Sequence, residues 1–374
     1  MPDLVSAPGR VVDALGRPRP ELRPPVPAPE RERRRPRMLA VLGVLLVLCA
    51  AGACASLALG SEPIAASAVW DVLAHRLRLS PGPDPTVDLI VVELRAPRAA
   101  QALVVGAGLG VAGTAVQALV RNPLADPYLL GVSSGASVGA TAVITTGALA
   151  ALGTWALSAG ALLGALAATA LVFGIASAQG GLTPLRLVLT GVVMSSAFSS
   201  VASFLVMRSD DRGAQSVLFW LLGSLSGTTW AQVWLPAVAV VATTALLLAS
   251  SWIDALTTGE DGARAVGVPV DGLRRALFVL SSALVGVLVA VSGSIGFVGL
   301  VLPHLGRLVV GARHRVLLPV AALGGAAFLI WVDVLSRVVV RPVELPLSVV
   351  TGLVGAPVFL LLLGRRRYSY GSAV

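Results

Sequence analysis

The sequence predicts an all-α integral membrane protein of about ten transmembrane helices, and three observations carry that prediction. Of its 374 residues 56% are hydrophobic and only 13% charged, with a mean hydropathy of +0.87, a balance found in chains dissolved in lipid. The apolar residues gather in runs of roughly 20, the length that crosses a bilayer core at about 1.5 Å per residue. The arginines behind the net charge of +9 sit at the ends of those runs rather than on one basic, aromatic-studded surface. Nucleic acid is therefore excluded as a partner, and membrane topology accounts for the charge.

Residues 1–37 are rich in proline and arginine and cannot bury enough apolar surface to offset ordering, so they read as a disordered cytoplasmic tail. The apolar run from Met38 is about 23 residues long and lacks a small-residue cleavage site, which makes it a retained first span rather than a secretory signal. Arg31, Arg33, Arg34, Arg35 and Arg37 precede it and place the N-terminus in the cytoplasm. Cys49 and Cys54, the only cysteines, are five positions apart on that one helix and read as small apolar fillers.

Residues 61–94 then lie outside, with an amphipathic piece over 68–78 that puts Trp70 at headgroup depth. His75, without further ligand types beside it, reads as an interfacial polar residue. The second span, 98–119, carries glycines at 106, 108, 110 and 113, which waste backbone entropy in water but admit a neighbouring backbone in lipid. It therefore expects a close partner helix. The turn at 121–127 holds Pro123 and Pro127 among polar residues and brings the chain to the surface.

Further spans are expected near 128–147, 154–177, 185–207, 230–250, 276–294, 296–311, 317–336 and 346–364, with a short outer helix or re-entrant turn over 214–227. Ten is an even number, so Arg365, Arg366 and Arg367 return to the cytoplasm. The permease body runs from 38 to 367 and a second cytoplasmic tail from 368 to 374. A weak inverted repeat relates 112–131 to 291–306, an arrangement common in transporters.

The chemistry within the spans is sparse. Asp126 is the only acid between Arg98 and Ser209, and Asp333 and Glu344 are the only ones after Gly272. An ion-coupled secondary transporter, the alternative class, normally needs intramembrane carboxylates to carry its coupling ion. The chain has no lysine, so it cannot form the phosphate loop of an ATPase. No catalytic set, metal-ligand spacing or cofactor site is expected, and any ATP hydrolysis falls to a separate chain.

Several ordered motifs resemble one family: Arg95-Ala96-Pro97-Arg98; Gln117 with residues 121–125 and Pro127; Gly131-Val132-Ser133-Ser134-Gly135-Ala136; and 296–304, which includes His304. The chain is similar over about residues 38–367 to the FecCD-like permeases of type II ABC importers, which carry ferric siderophores, haem and cobalamin. The resemblance implies a BtuC-like fold in the plasma membrane, paired with a second permease copy or paralogue and bathed in lipid. It implies cytoplasmic ABC ATPase subunits docking on the polar loop at 251–275, through Gly259, Glu260, Ala263, Ala265 and Gly267. Thr257 and Thr258 are placed to cap a short helix there.

The same resemblance makes Arg95, Arg98 and Arg337 the docking points for glutamates of an extracytoplasmic substrate-binding protein, a role suited to forked guanidinium donors. It lines the translocation path with Met194, Ser195, Ser196 and Ser199 on the fifth span and Ser348 and Thr351 on the tenth.

Overall fold

The computed structural model describes residues 28–79, 82–257 and 259–364. The reading of 1–27 as disordered, Thr258, and the terminal arginines with the tail after them lie outside the described residues. Those described form an almost wholly helical bundle, and seven helices are long and apolar enough to cross a membrane.

The first helix, α1 (Ala28–Ala58), begins ten residues before the apolar run. Glutamate and arginine are good helix formers, and they extend the span's helix back through residues expected to be unstructured. After it come α2 (Ala66–Arg76), which is the amphipathic segment with Trp70 exposed, and α3 (Pro85–Leu89), capped by Asp84 through the amides of Thr86 and Val87. A π-helical turn, Ile90–Arg95, leads into α4 (Ala96–Leu119).

The bundle is organised around α4, nearly all of which is buried. It packs on α9 (Trp230–Ala249), α12 (Val270–Ser292), α13 (Val298–Val310) and α14 (His314–Val338). The predicted close approach is two-sided. A Cβ on Gly106, Gly110 or Gly113 would overlap the backbone carbonyl of Gly325, Ala321 or Gly299, whereas Gly108 faces Leu288 and Val240 across the helix. At these three glycines helix α4 is thus set backbone to backbone against α13 and α14.

Around this hub stand α5 (Val132–Thr146), α6 (Ala156–Ala178) and α7 (Pro184–Met207), which pack on one another. The expected short element near 214–227 is α8 (Asp211–Leu221), N-capped by Asp210. Two brief helices, α10 (Trp252–Leu256) and α11 (Glu260–Ala265), fill the polar loop, and α15 (Leu347–Gly364) closes the chain. Ten helices therefore fall where ten spans are expected, but α5 and α13 have only 15 and 13 residues. These two are too short to cross by themselves, and α15, with the shorter apolar stretch Leu347–Leu362, also falls outside the seven.

Candidate functional sites at the two ends of the central helix

Helix α4 has a charged cluster at each end: Arg98 lies in its first turn and Arg121 just past its last. Helix α4 has 24 residues, which sets the two arginines about 35 Å apart, roughly the thickness of a membrane.

At the Arg98 end, all three sequence-predicted arginines converge. Arg95, Arg98 and Arg337 line one open cavity of about 410 Å3 together with Glu62, Thr228 and Glu344. They do not project from it, for each is less than a tenth exposed. Arg98 donates through Nε to Asp333 Oδ1 at 2.9 Å and through Nη1 to both carboxylate oxygens of Glu344 at 3.0 Å. Arg337 donates to Asp333 Oδ2 at 2.8 Å and to Ser56 Oγ at 2.7 Å. Arg95 bonds only backbone carbonyls, those of Leu57, Ala58 and Glu62.

Asp333 is wholly buried between the two guanidiniums. In the sequence it stands out only as a rare acid. Its four-residue spacing from Arg337, which stacks the two on one helical face, was the signal available.

At the opposite end, the loop between α9 and α12 is anchored from below. Ile253, Leu256 and Ala263 are buried, Ala263 completely, so this predicted contact residue packs inward. Gly259 and Gly267 take left-handed φ of 109° and 80°, which a side chain would resist, and they form the two corners of α11. Ala265 and Gly267 are exposed, and Val266 is 72% exposed beside them. Thr257 differs from expectation: its hydroxyl donates to the Asp254 carbonyl at 2.6 Å, closing α10 instead of capping α11.

Glu260 also turns inward. It accepts from Arg274 of α12, which is buried, and lies 3.7 Å from Arg121 and 4.0 Å from Arg264. Asp254 accepts both the backbone amide of His314, at 2.9 Å, and a contact with its ring, fastening α10 to the start of α14. Arg121 lies outside the loop altogether, and nothing in the loop's composition singles out Arg274 among its arginines as the partner of Glu260.

The predicted path residues are divided. Ser196, Ser199 and Ser200 lie on an exposed face of α7, with Met194 and Ser195 half-buried. The hydroxyls of Ser196 and Ser200 are satisfied by carbonyls four residues earlier, at 3.2 and 3.0 Å. Ser348 is half-buried and bonds the Ser294 carbonyl, while Thr351 is fully buried with its hydroxyl on the Ser348 carbonyl. Among the described residues no cluster of three or more metal-ligating side chains occurs.

Comparison with known proteins is consistent across sequence and structure. The model of the FecCD transport family matches residues 45–365. The ABC transporter permease protein YvrB of Bacillus subtilis is 42% identical over 76% of this chain and 81% of its own length. The hemin transport system permease protein HmuU of Yersinia pestis is 37% identical over 90% of this chain and 98% of its own. The cobalamin import permease BtuC of Halobacterium salinarum is 41% identical, covering 79% of the chain and 80% of the relative. A solved structure described as an inward-facing metal-chelate type ABC transporter superposes with a TM-score of 0.76 at 34% identity, over 87% of this chain and 99% of that one.

Proposed function

We propose, from the premise that this chain belongs to the FecCD transport family, that it passes a ferric siderophore or a related iron or corrinoid chelate into the cell under the drive of separate ATPase subunits. As a member of that family it is a permease subunit of a type II ABC importer, a multi-pass membrane protein that supplies a path rather than a catalytic centre. The relatives' names mention hemin and cobalamin, both bulky metal chelates, which supports this cargo class.

The observation that carries the reading is the pairing of ends on α4: an arginine-lined cavity at one and an anchored loop with an exposed outer face at the other. We assign the loop to the cytoplasm and the cavity to the outside, with both termini cytoplasmic, in line with the arginine run before α1. The ATPase would seat on the exposed edge of α11, at Ala265, Val266 and Gly267. An acidic lobe of a binding protein would meet the cavity of Arg95, Arg98 and Arg337. A second permease copy would cover the exposed faces of α7 and α15, where Val193, Phe204, Met207 and Leu353 lie open. The path then runs between copies, past Ser196 and Ser199.

Ion coupling is disfavoured by the scarcity of acids in the spans: Asp333, the acid carried by α14, is engaged in ion pairs with Arg98 and Arg337 instead of standing ready to hold a coupling ion. The test is uptake of labelled ferric siderophore, haem and cobalamin by a deletion strain with and without the chain. Uptake that depends on the chain and stops on ATP depletion is the expected result. Uptake that survives ATP depletion but collapses with an uncoupler overturns it.

A further inference from the structure

We infer that Glu260 is a positioning residue, which ties the ATPase-docking loop to the ends of α4 and α12 so that force applied to α11 reaches the membrane helices. The inference rests on the proposed reading of the loop as the docking element, and it adds the connection by which docking becomes movement.

Glu260 is the first residue of α11, and its carboxylate, with the side chain 28% exposed, reaches back to Arg274 of the bundle. Three arginines surround it. Arg274 comes from the first turns of α12 and is 2% exposed. Arg121 comes from the turn that closes α4, where its backbone holds a φ of 52°, and Arg264 is one turn further along α11 itself. A buried guanidinium stripped of its carboxylate is strongly unfavourable, so Arg274 and Glu260 have to move together.

The load then has a stiff route. Beyond Arg121, α4 touches α13 and α14 through backbone at Gly113, Gly110 and Gly106. Packed backbone has no rotamers to absorb a displacement. A shift at the end of α4 is therefore passed on to both neighbours. The outer edge of α11 is meanwhile left open, with Asp261, Gly262, Ala265 and Val266 exposed. Val266, an apolar side chain on a polar loop, is suited to burial against a partner. One short helix thus presents an outer edge for contact and an inner carboxylate for transmission.

The experiment uses the assembled transporter, drawn from its host membrane by a tag on this chain, in a Cys49→Ser/Cys54→Ser background. Spin labels at Ser224 and Val343, on the wall of the arginine-end opening, report the distance change produced by ATP with vanadate. In Glu260→Gln the ATPase subunits should stay bound within about twofold while the shifted population falls about tenfold. Glu260→Asp, which keeps a carboxylate toward the same three arginines, should retain more of the shift than Glu260→Gln. Arg121→Gln, at an exposed side chain whose loss strands no buried charge, should give a milder loss.

A Glu260→Gln transporter that shifts like the parent overturns the inference. So does loss of the shift together with loss of the ATPase, which would make Glu260 a contact residue, or a Glu260→Asp transporter that retains no more of the shift than Glu260→Gln. Val266→Asp tests the underlying reading separately: it should release the ATPase subunits, and if they stay bound the loop is not their dock, whatever Glu260 does. Should Glu260→Gln not accumulate, Arg121→Gln alone decides, and an unchanged shift there overturns the connection to α4.

Discussion

Arg98 and Asp333 meet at 2.9 Å across 235 positions of sequence, in a place where Asp333 has no exposed surface at all. The pair joins the first turn of the central helix α4 to α14, and Asp333 then reaches on to Arg337 on its own helix. Removing the shared carboxylate leaves two buried guanidiniums facing each other. Asp333→Ala should therefore destabilise the isolated chain by about 3 to 5 kcal/mol, the cost of orphaning a buried charge. Thermal unfolding in detergent measures it, and a midpoint within a degree or two of the parent would show that the cluster is dispensable.

The backbone seam between α4 and α14 predicts a contrast between two glycines. At Gly110 an added methyl collides with the Ala321 carbonyl, which cannot rotate away, so Gly110→Ala should cost at least the about 1 to 3 kcal/mol typical of overpacking. At Gly174, on an exposed face of α6, the same methyl meets nothing within 4 Å. Gly174→Ala should instead be neutral or stabilising by up to about 1 kcal/mol. The Gly110→Ala midpoint should fall below that of the parent, and the Gly174→Ala midpoint should not.

The Glu260 cluster predicts a pH dependence. The hydrogen bond from Arg274, with the charges of Arg274, Arg121 and Arg264 behind it, holds the Glu260 carboxyl below its ordinary range against the opposing effect of burial. A carboxyl whose folded pKa is lowered contributes stability that is present above its unfolded value, about 4.3, and lost as pH falls through the lowered one. The difference in unfolding midpoint between parent and Glu260→Gln should be flat from about pH 5.5 to 8 and close only below about pH 4. A difference that varies across the neutral range would assign the effect to another group.

What the sequence disclosed and what it withheld follow the range of the interactions. Ten apolar runs, the glycine face of α4 and the polar loop at 251–275 are local patterns, and all correspond to elements of the fold. The partners of those elements are not local. Asp333 lies between arginines from two helices, and Glu260 finds Arg121 from the far side of the loop only because α4 ends there. Exposure was equally hidden: Thr351 and Ala263 have small side chains that suit a path or a contact surface, but small side chains also fit close packing, and both are buried. The early start of α1 was masked by composition, since a proline- and arginine-rich stretch resembles a tail until the helix behind it extends into it.

Arg95 and Arg337 together predict a structural effect that must be separated from docking. The last four carbonyls of any helix lack intrahelical donors, and the C-terminal end carries partial negative charge. In α1 these two side chains supply the donors: Arg95 Nη1 bonds the carbonyls of Leu57 and Ala58 at 2.8 and 2.9 Å, and Arg337 Nη1 bonds those of Ser56 and Leu59 at 3.3 and 3.1 Å. Arg95→Met should therefore loosen the end of α1 in the isolated chain, speeding amide exchange over residues 59–64 by about tenfold or more, since charged hydrogen bonds contribute about 1.5 to 3 kcal/mol. Arg95→Lys should not rescue it, because one ammonium cannot reproduce a fork that reaches Leu57, Ala58 and Glu62 at once. Unchanged exchange would leave these bonds without structural weight. The same measurement interprets Arg95→Glu combined with Arg98→Glu, which should abolish transport while membrane insertion persists. If exchange at the end of α1 stays slow in that variant, the loss belongs to the cavity's meeting with a binding protein; if it rises as in Arg95→Met, the helix end has failed first.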